Sequence, residues 1–521
     1  MKTRACLLLG VLLLANSPVV AQLTDSERRG KAIFLRGVSS SGREITGRIG
    51  EIEVPATTAT CAGCHGMRGE GKTEGGVTAG GLTWPHLVKP YGHTHTTGRN
   101  HGPFNESSFI RAVVNGIDSN GNDLLVAMPR YKLSPEDMAD LIAYLKRIES
   151  DLDPGLTDNS VTVGLVLPSS GAFAGVGAAM KDLFSAYFDN VNSRGGIFNR
   201  KIEMRIADAG TGGAATATVA HDFIRKEQIF AFVGGLSAGA DAQIAAFARS
   251  EEVPFIGPAT LLPHAENPAN RYLFYLLPGV AEQAVSLVNF AAAKPELRKA
   301  RTAIVYGDNS LGIAAATATQ EQLQKIAWTT NVKQNYTAAN FDARRIVDDL
   351  KRRNTEVLFF YGSGKDQSSL LTEAAAAGWS PSFFFIGVLS GKQLPPESLA
   401  TFKDKLFVAF PTVPADITGE GMAEFRALHE KYKFAPRHTA SQLSAFAAAK
   451  VFVEALTRAG KDLSREKLVN TLEGFYEYDT GATPRITFGP NRRVGAAGAH
   501  VVSIDVVEKE FAKASGWIKA Y

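Results

Sequence analysis

A chain of 521 residues, 45% hydrophobic and 21% charged, has the ordinary balance of folded proteins and enough length for about three folding units. Its formal charge of +4 comes with no basic stripe, which argues against nucleic acid as the main partner. Three cysteines are too few to staple a fold of this size.

The first residues read as an export signal. Lys2 and Arg4 precede an apolar run from Ala5 to Ala15, and Val19-Val20-Ala21 supplies a small-residue cleavage pattern. Residues 1–21 are therefore expected to be removed, with cleavage after Ala21 and the mature chain in the periplasm. The run is shorter than the roughly 20 residues that span a bilayer, so a membrane anchor is disfavoured, and no later segment reads as a span. Cleavage removes Cys6 and two positive charges, leaving Cys61 and Cys64 and a formal charge of about +2 (+4 less Lys2 and Arg4).

Those two cysteines stand in Cys61-Ala62-Gly63-Cys64-His65, and C-x-x-C-H is the attachment pattern of a c-type haem. Two thioethers would hold the porphyrin edge while His65 ligates the iron. A Cys61–Cys64 disulfide is the competing reading. Around the motif, residues 22–150 have the layout of a small helical domain. Ser26 to Leu35 reads as an amphipathic helix capped by Asp25 or Thr24. Ser134 and Pro135 start another, in which Met138, Leu141, Ile142 and Leu145 recur with helical period. Between them lies a Gly-rich middle with little aliphatic core of its own, which suits a large flat cofactor. Met128, followed by Pro129, is the favoured second iron ligand; a core-filling thioether is the alternative. The pattern C-x-x-C-H, long loop, Met128-Pro129, Leu133-Ser134 and a closing helix with Tyr144-Leu145 resembles the class I cytochrome c family. The resemblance implies one covalent haem c held axially by His65 and Met128, a pairing suited to electron transfer. His86, His93, His95 and His101 crowd the intervening loop. Each could replace Met128 or help bind a second metal, but solvated loop histidines are the preferred reading.

Residues 151–160, with Pro154, Gly155 and Asp158-Asn159, read as a linker. Beyond them the pattern changes to strands alternating with amphipathic helices. Val161 to Leu167 is a continuous apolar run of the type buried on both faces of a parallel sheet. Strands are expected at 202–207, 229–233, 302–306, 357–361, 383–386 and 406–409, and helices at 178–193 and 214–226. Residues 161–521 are too many for one doubly wound sheet, so two α/β lobes are expected, with a crossover near 271–278. The fold class is thus multidomain: a small all-α cytochrome c domain followed by a two-lobed α/β clamshell.

Asn192-Ser193-Arg194-Gly195-Gly196-Ile197-Phe198-Asn199-Arg200-Lys201-Ile202, with Leu167-Pro168-Ser169-Ser170-Gly171 and Asp308-Asn309-Ser310-Leu311-Gly312, resembles the type I periplasmic solute-binding proteins of branched-chain amino acid uptake. That resemblance implies a small solute held at the carboxyl ends of strands, and an ABC permease as partner. Carried over position by position, it points to Ser170, Phe173, Ser237, Gly239, Thr260, Leu311, Tyr361, Lys365 and Leu389. Leu389 stands where binders of α-amino acids place an acid for the ammonium. Burying an unpaired ammonium there would cost several kcal/mol, so a less polar organic acid or alcohol is expected, with Lys365 as a carboxylate partner.

Other motifs compete. Gly235-Leu236-Ser237-Ala238-Gly239 matches the G-x-S-x-G nucleophile elbow, which would make Ser237 a hydrolase nucleophile, but nothing in the sequence places a histidine beside it. Gly362-Ser363-Gly364-Lys365 lacks the hydroxyl residue of a phosphate loop and reads as a helix start. Alanine-rich Ala314 to Ala318 and Ala445 to Ala449 read as close-packing surfaces. The expected protein is an exported electron carrier and binding protein, with no catalytic residues. A periplasmic redox protein is its expected partner, and docking of a periplasmic dehydrogenase onto the clamshell is an alternative.

Overall fold

The computed structural model describes residues 23–521 apart from 75, 96, 97, 211–213, 238, 265, 267, 299, 391–400, 436 and 506–509. The expected signal segment, with Cys6 and the Ala21 cleavage point, lies outside the described residues. The chain divides into two compact units, residues 1–152 and 153–521.

In the first unit the helix Asp25–Arg36 begins at Thr24, whose side chain accepts from Glu27 N while Glu27 accepts from Thr24 N. This reciprocal cap satisfies two otherwise orphaned amides. Pro135–Arg147 is capped by Ser134, which accepts from Asp137 N at 3.1 Å. The two helices pack so closely at Gly30 that an added Cβ would lie 2.0 Å from the Asp140 carbonyl oxygen. Asp140 also accepts from Ser26 Oγ and Arg29 Nε, each at 2.6 Å. The middle is more ordered than its glycine content suggested. It contains a helix, Glu106–Asn115, capped by Asn105. Thr46–Ile49 pairs antiparallel with Ile52–Pro55 on one side and Arg130–Lys132 on the other, and two short hairpins join Lys72–Glu74 to Val77–Ala79 and His93–Thr94 to Asn100–His101. The unit is the small helical domain expected, with short two- and three-stranded sheets in its middle where backbone polar groups find partners in one another.

The linker expected at 151–160 is shorter than its composition implied. Leu156 is buried in the second unit's core, Gly155 packs against the Phe230 backbone, and Asp153 accepts from Arg465 N at 2.5 Å. The first lobe's five-stranded sheet is wholly parallel, in the order Leu273–Phe274, Phe255–Ile256, Ala231–Val233, Ser160–Leu167, Lys201–Asp208. The second lobe's sheet runs Thr330–Tyr336, Thr302–Gly307, Val357–Tyr361, Ser382–Ile386, Leu406–Phe410 in parallel, then adds Gly498–Asp505 and Glu510–Lys519 antiparallel. After Phe410 the chain returns to the first lobe, where Gly419–Tyr432, Thr439–Ala459 and Arg465–Glu473 contribute to its core. It crosses again before Gly498. Ala445 to Ala449 are fully buried in that core, as close-packing residues should be. At Gly196, φ is +77° and a Cβ would meet Arg200 O at 2.0 Å, so glycine is required where the chain turns from helix to strand. Among the described residues no helix is long and apolar enough to cross a membrane.

Gly30→Ala is expected to destabilise the first unit by about 3 kcal/mol, since backbone must shift to admit the methyl group. Denaturant unfolding followed by circular dichroism should show its transition moving to lower denaturant while that of the second unit stays in place.

Candidate functional site

In the first unit, Cys61–His65 forms a short helix started by Thr60, whose hydroxyl accepts from Gly63 N at 3.1 Å. Cys61, Cys64, His65 and Met128 all border one cavity, walled largely by apolar groups including Phe34, Leu87, Phe109, Leu141 and Leu145. His65 is only 8% exposed, and its Nδ1 donates to Gly80 O at 2.6 Å. That bond fixes the tautomer and leaves Nε2 as the free donor for a metal. Burial also lowers the His65 pKa, which keeps the ring neutral. The Met128 loop is tied down by Arg130, which donates to the carbonyls of Leu124, Leu125 and Met128. Gly116 leaves room for that guanidinium, since a Cβ there would overlap Arg130 Nε. Arg130 is a positioning residue that the sequence pattern did not single out.

The loop histidines are not solvated singly. Register pairs His93 with His101, and ring centroids lie 5.2 Å apart for His86 and His93, 4.7 Å for His93 and His95, and 5.2 Å for His95 and His101. His101 is buried, and it and His95 border the cavity along with Arg99. Burial, then the Arg99 charge and the neighbouring imidazoles, push His95 down to about 4. Among the described residues no group of three or more His, Cys, Asp or Glu is arranged to hold a metal ion.

In the second unit the expected solute residues follow strand carboxyl ends. Ser170 and Phe173 are exposed after Ser160–Leu167; Ser237 and Gly239 follow Ala231–Val233; Thr260 follows Phe255–Ile256. From the other lobe, Leu311 lies in the first turn of Ser310–Lys325, Lys365 is exposed in the first turn of Gly364–Ala376, and Leu389 is half-buried in Gly387–Ser390. Tyr361 departs from the expectation: it is fully buried, and its hydroxyl shares a 2.5 Å hydrogen bond with Thr319, so it serves the core instead of a solute. Ser363 caps its helix in a reciprocal pair with Asp366, so Gly362 to Lys365 is a helix start. Ser237 is 1% exposed and its Oγ donates to Ala259 O at 3.4 Å; among the described residues no histidine hydrogen-bonds it, as a nucleophile would need.

Residues 160–509 match the family described as periplasmic binding protein. The chain belongs to that family. Residues 55–149 match the cytochrome c family, which implies a covalently attached haem. This binding protein is 24% identical over 350 residues to the Leu/Ile/Val-binding protein homolog 8 of Brucella abortus, covering 64% of this chain and 85% of the relative. Among solved structures it resembles a branched chain amino acid ABC transporter protein from Thermus thermophilus with bound valine (18% identity, TM-score 0.53, 70% of this chain and 97% of the other). It also resembles a fatty acid ABC transporter substrate-binding protein from Thermomonospora curvata (17% identity, TM-score 0.52, 70% and 94%).

The residues of the first unit fit a haem: both thiols are free of a disulfide, the pocket wall is apolar, and an imidazole and a thioether face the same cavity lining. In the binding fold, Asp241 was missed by the sequence reading. It opens the helix Asp241–Ser250, is 6% exposed, and is approached by the hydroxyls of Ser237 and Thr260, neither of which reaches it with normal hydrogen-bond geometry. Burial raises its pKa, against the opposing pull of both hydroxyls and His264. A raised carboxyl pKa means the folded state holds the proton to higher pH than the unfolded state. Stability from this group is greatest below the unfolded value near 3.8 and is lost as pH rises through the folded value. Asp241→Asn is therefore expected to raise the melting temperature of the second unit at pH 7 and to flatten its pH dependence above pH 4, measured by calorimetry without solute.

Proposed function

We propose that the mature chain is a periplasmic one-haem electron carrier joined to a receptor for a small solute. The observation that carries this reading is a cavity bordered by two free thiols, a tautomer-fixed imidazole and the Met128 thioether, in a chain whose remainder has a two-lobed binding fold. Cys61 and Cys64 would carry the haem through thioethers, and the His65 imidazole and the Met128 thioether would be its iron ligands. A haem so held would supply one-electron exchange, and ligation by both an imidazole and a thioether would favour electron transfer over oxygen chemistry. Gly80 orients His65, Arg130 holds the Met128 loop, and the apolar wall excludes water. A periplasmic redox protein would exchange the electron; an ABC permease or a dehydrogenase would work with the clamshell.

For the solute we favour a less polar organic acid or alcohol. Leu311 and Leu389 supply apolar surface on the second lobe, and Lys365 supplies a cation. A second reading rests on Asp241. A buried acid met only by the hydroxyls of Ser237 and Thr260 would suit a solute bearing an ammonium, met from the first lobe instead of the second. Solved relatives of this fold include a valine complex and a protein named for fatty acids, so the architecture accommodates either class.

Met128→Ala is expected to abolish the sulfur-to-iron charge-transfer band of the oxidised protein. An unchanged spectrum would show that Met128 is not the ligand. A thermal-shift screen of the haem-loaded chain against aliphatic amino acids, aromatic acids and small alcohols tests the receptor: a ligand at 100 times its dissociation constant stabilises its unit by about 2.7 kcal/mol. Hits confined to acids or alcohols support the favoured solute. Amino acid hits that Asp241→Asn abolishes support the second reading, and no hit at all would count against a receptor.

A further inference from the structure

The cavity that brings Cys61, Cys64, His65 and Met128 together has a single permanently charged member. Among the described residues that line it, Arg99 is the only lysine or arginine, and no aspartate or glutamate is present. Its side chain is 23% exposed, and two corners of its guanidinium are held: Nη1 donates to Asp118 Oδ2 at 2.6 Å and Nη2 to His95 Nε2 at 2.8 Å. An arginine carries five N–H donors, and these bonds use two of them. Asp118 does not exhaust the cation. It is wholly buried and also accepts from Asn120 N and Asn122 N, each at 2.9 Å, and from Asn122 Nδ2 at 3.0 Å, so much of its charge is spent within its own turn. His95, accepting on Nε2, is neutral with its proton on Nδ1. Its ring lies against Gly80, where an added Cβ would stand 3.2 Å from His95 Cε1, and Gly80 O is the acceptor that orients His65. Arg99 is thereby tied to the stretch of wall that sets the imidazole ligand.

The other polar members of the lining are bonded within the fold. Thr60 caps its helix, Thr78 shares a 3.0 Å bond with Thr73, the Tyr131 hydroxyl donates to Ala59 O, and His101 Nδ1 donates to Gly102 O at 2.7 Å. Arg99 is the group left to meet an anion in whatever fills the cavity. We propose, resting on the haem reading above, that Arg99 receives a haem propionate through a charge-assisted hydrogen bond. A haem brings two such carboxylates into the fold, and burying either without a donor is costly. A cation held there also favours the iron state with one more electron, so Arg99 raises the reduction potential.

The test combines redox titration with resonance Raman spectroscopy of the haem-loaded full chain. Arg99→Gln is expected to shift the equilibrium between ferrous and ferric iron about tenfold toward ferric, a midpoint potential about 59 mV lower, and to move the propionate bending band. Arg99→Lys keeps the cation but loses the fork, so it should restore most of the potential while the band stays displaced. Lys132→Gln removes a cation that is exposed and outside the cavity, and should change neither readout. An unmoved propionate band in Arg99→Gln overturns the proposal, and so does a fall in potential that Lys132→Gln matches. If Arg99→Gln does not hold haem, Arg99→Lys decides in its place: a band identical to that of the unaltered chain overturns the contact. Absence of a pyridine haemochrome from the unaltered chain would bring down the haem reading itself, whereas attached haem with an unmoved band defeats the Arg99 contact alone.

Discussion

Burial of parallel strands on both faces is the constraint on which the second unit depends. Val163, Leu165, Ile304, Phe359 and Phe384 are fully buried, so their strands offer no surface for chemistry. Parallel pairing brings the carboxyl ends of each sheet to a common edge, and only the loops beyond that edge can meet a ligand. Ser170, Ser237 and Thr260 lie on such loops, and Lys365 and Leu389 lie in short helical turns that follow directly from strand ends. Tyr361 is the last residue of its strand, one step short of the loop, and its phenol is claimed by Thr319. The antiparallel pair that closes the second sheet does something different: it carries Lys519 and Tyr521 to the place where the chain passes between lobes.

The first unit works under the opposite condition. It has short strands and a glycine-rich middle, so individual hydrogen bonds do what a sheet does elsewhere. One bond from His65 to Gly80 sets the orientation and tautomer of an imidazole, and one guanidinium holds three successive-loop carbonyls around Met128. Such single bonds, in a buried setting, are worth more than their number suggests because leaving either partner unmade is costly.

Much of the scaffold was legible because its signals are local. The apolar run from Val161 to Leu167, the Ser134-Pro135 helix start and the Gly195-Gly196 turn each carry their own physical cause, and the structure places a strand, a capped helix and a helix-to-strand turn there. The helix Glu106–Asn115 also had a local signal, Asn105 and Ser108 before Phe109, Ala112 and Val113, obscured by the glycines around it. What escaped the sequence is non-local. Asp241 is an ordinary helix-start acid until Ser237 and Thr260 are folded over it. Arg493 is an ordinary turn residue until Phe274 and Glu473 enclose it. Leu156 read as part of a linker because nothing nearby in sequence reveals that it packs into the second unit's core.

All three cysteines precede residue 65, so the binding fold contains none. Its maturation therefore needs neither disulfide isomerisation nor haem ligation, whereas the first unit stays unfinished until both thioethers are made. The two halves of one polypeptide come of age on separate schedules, and a chain that escaped haem loading would still carry a complete periplasmic-binding-protein fold.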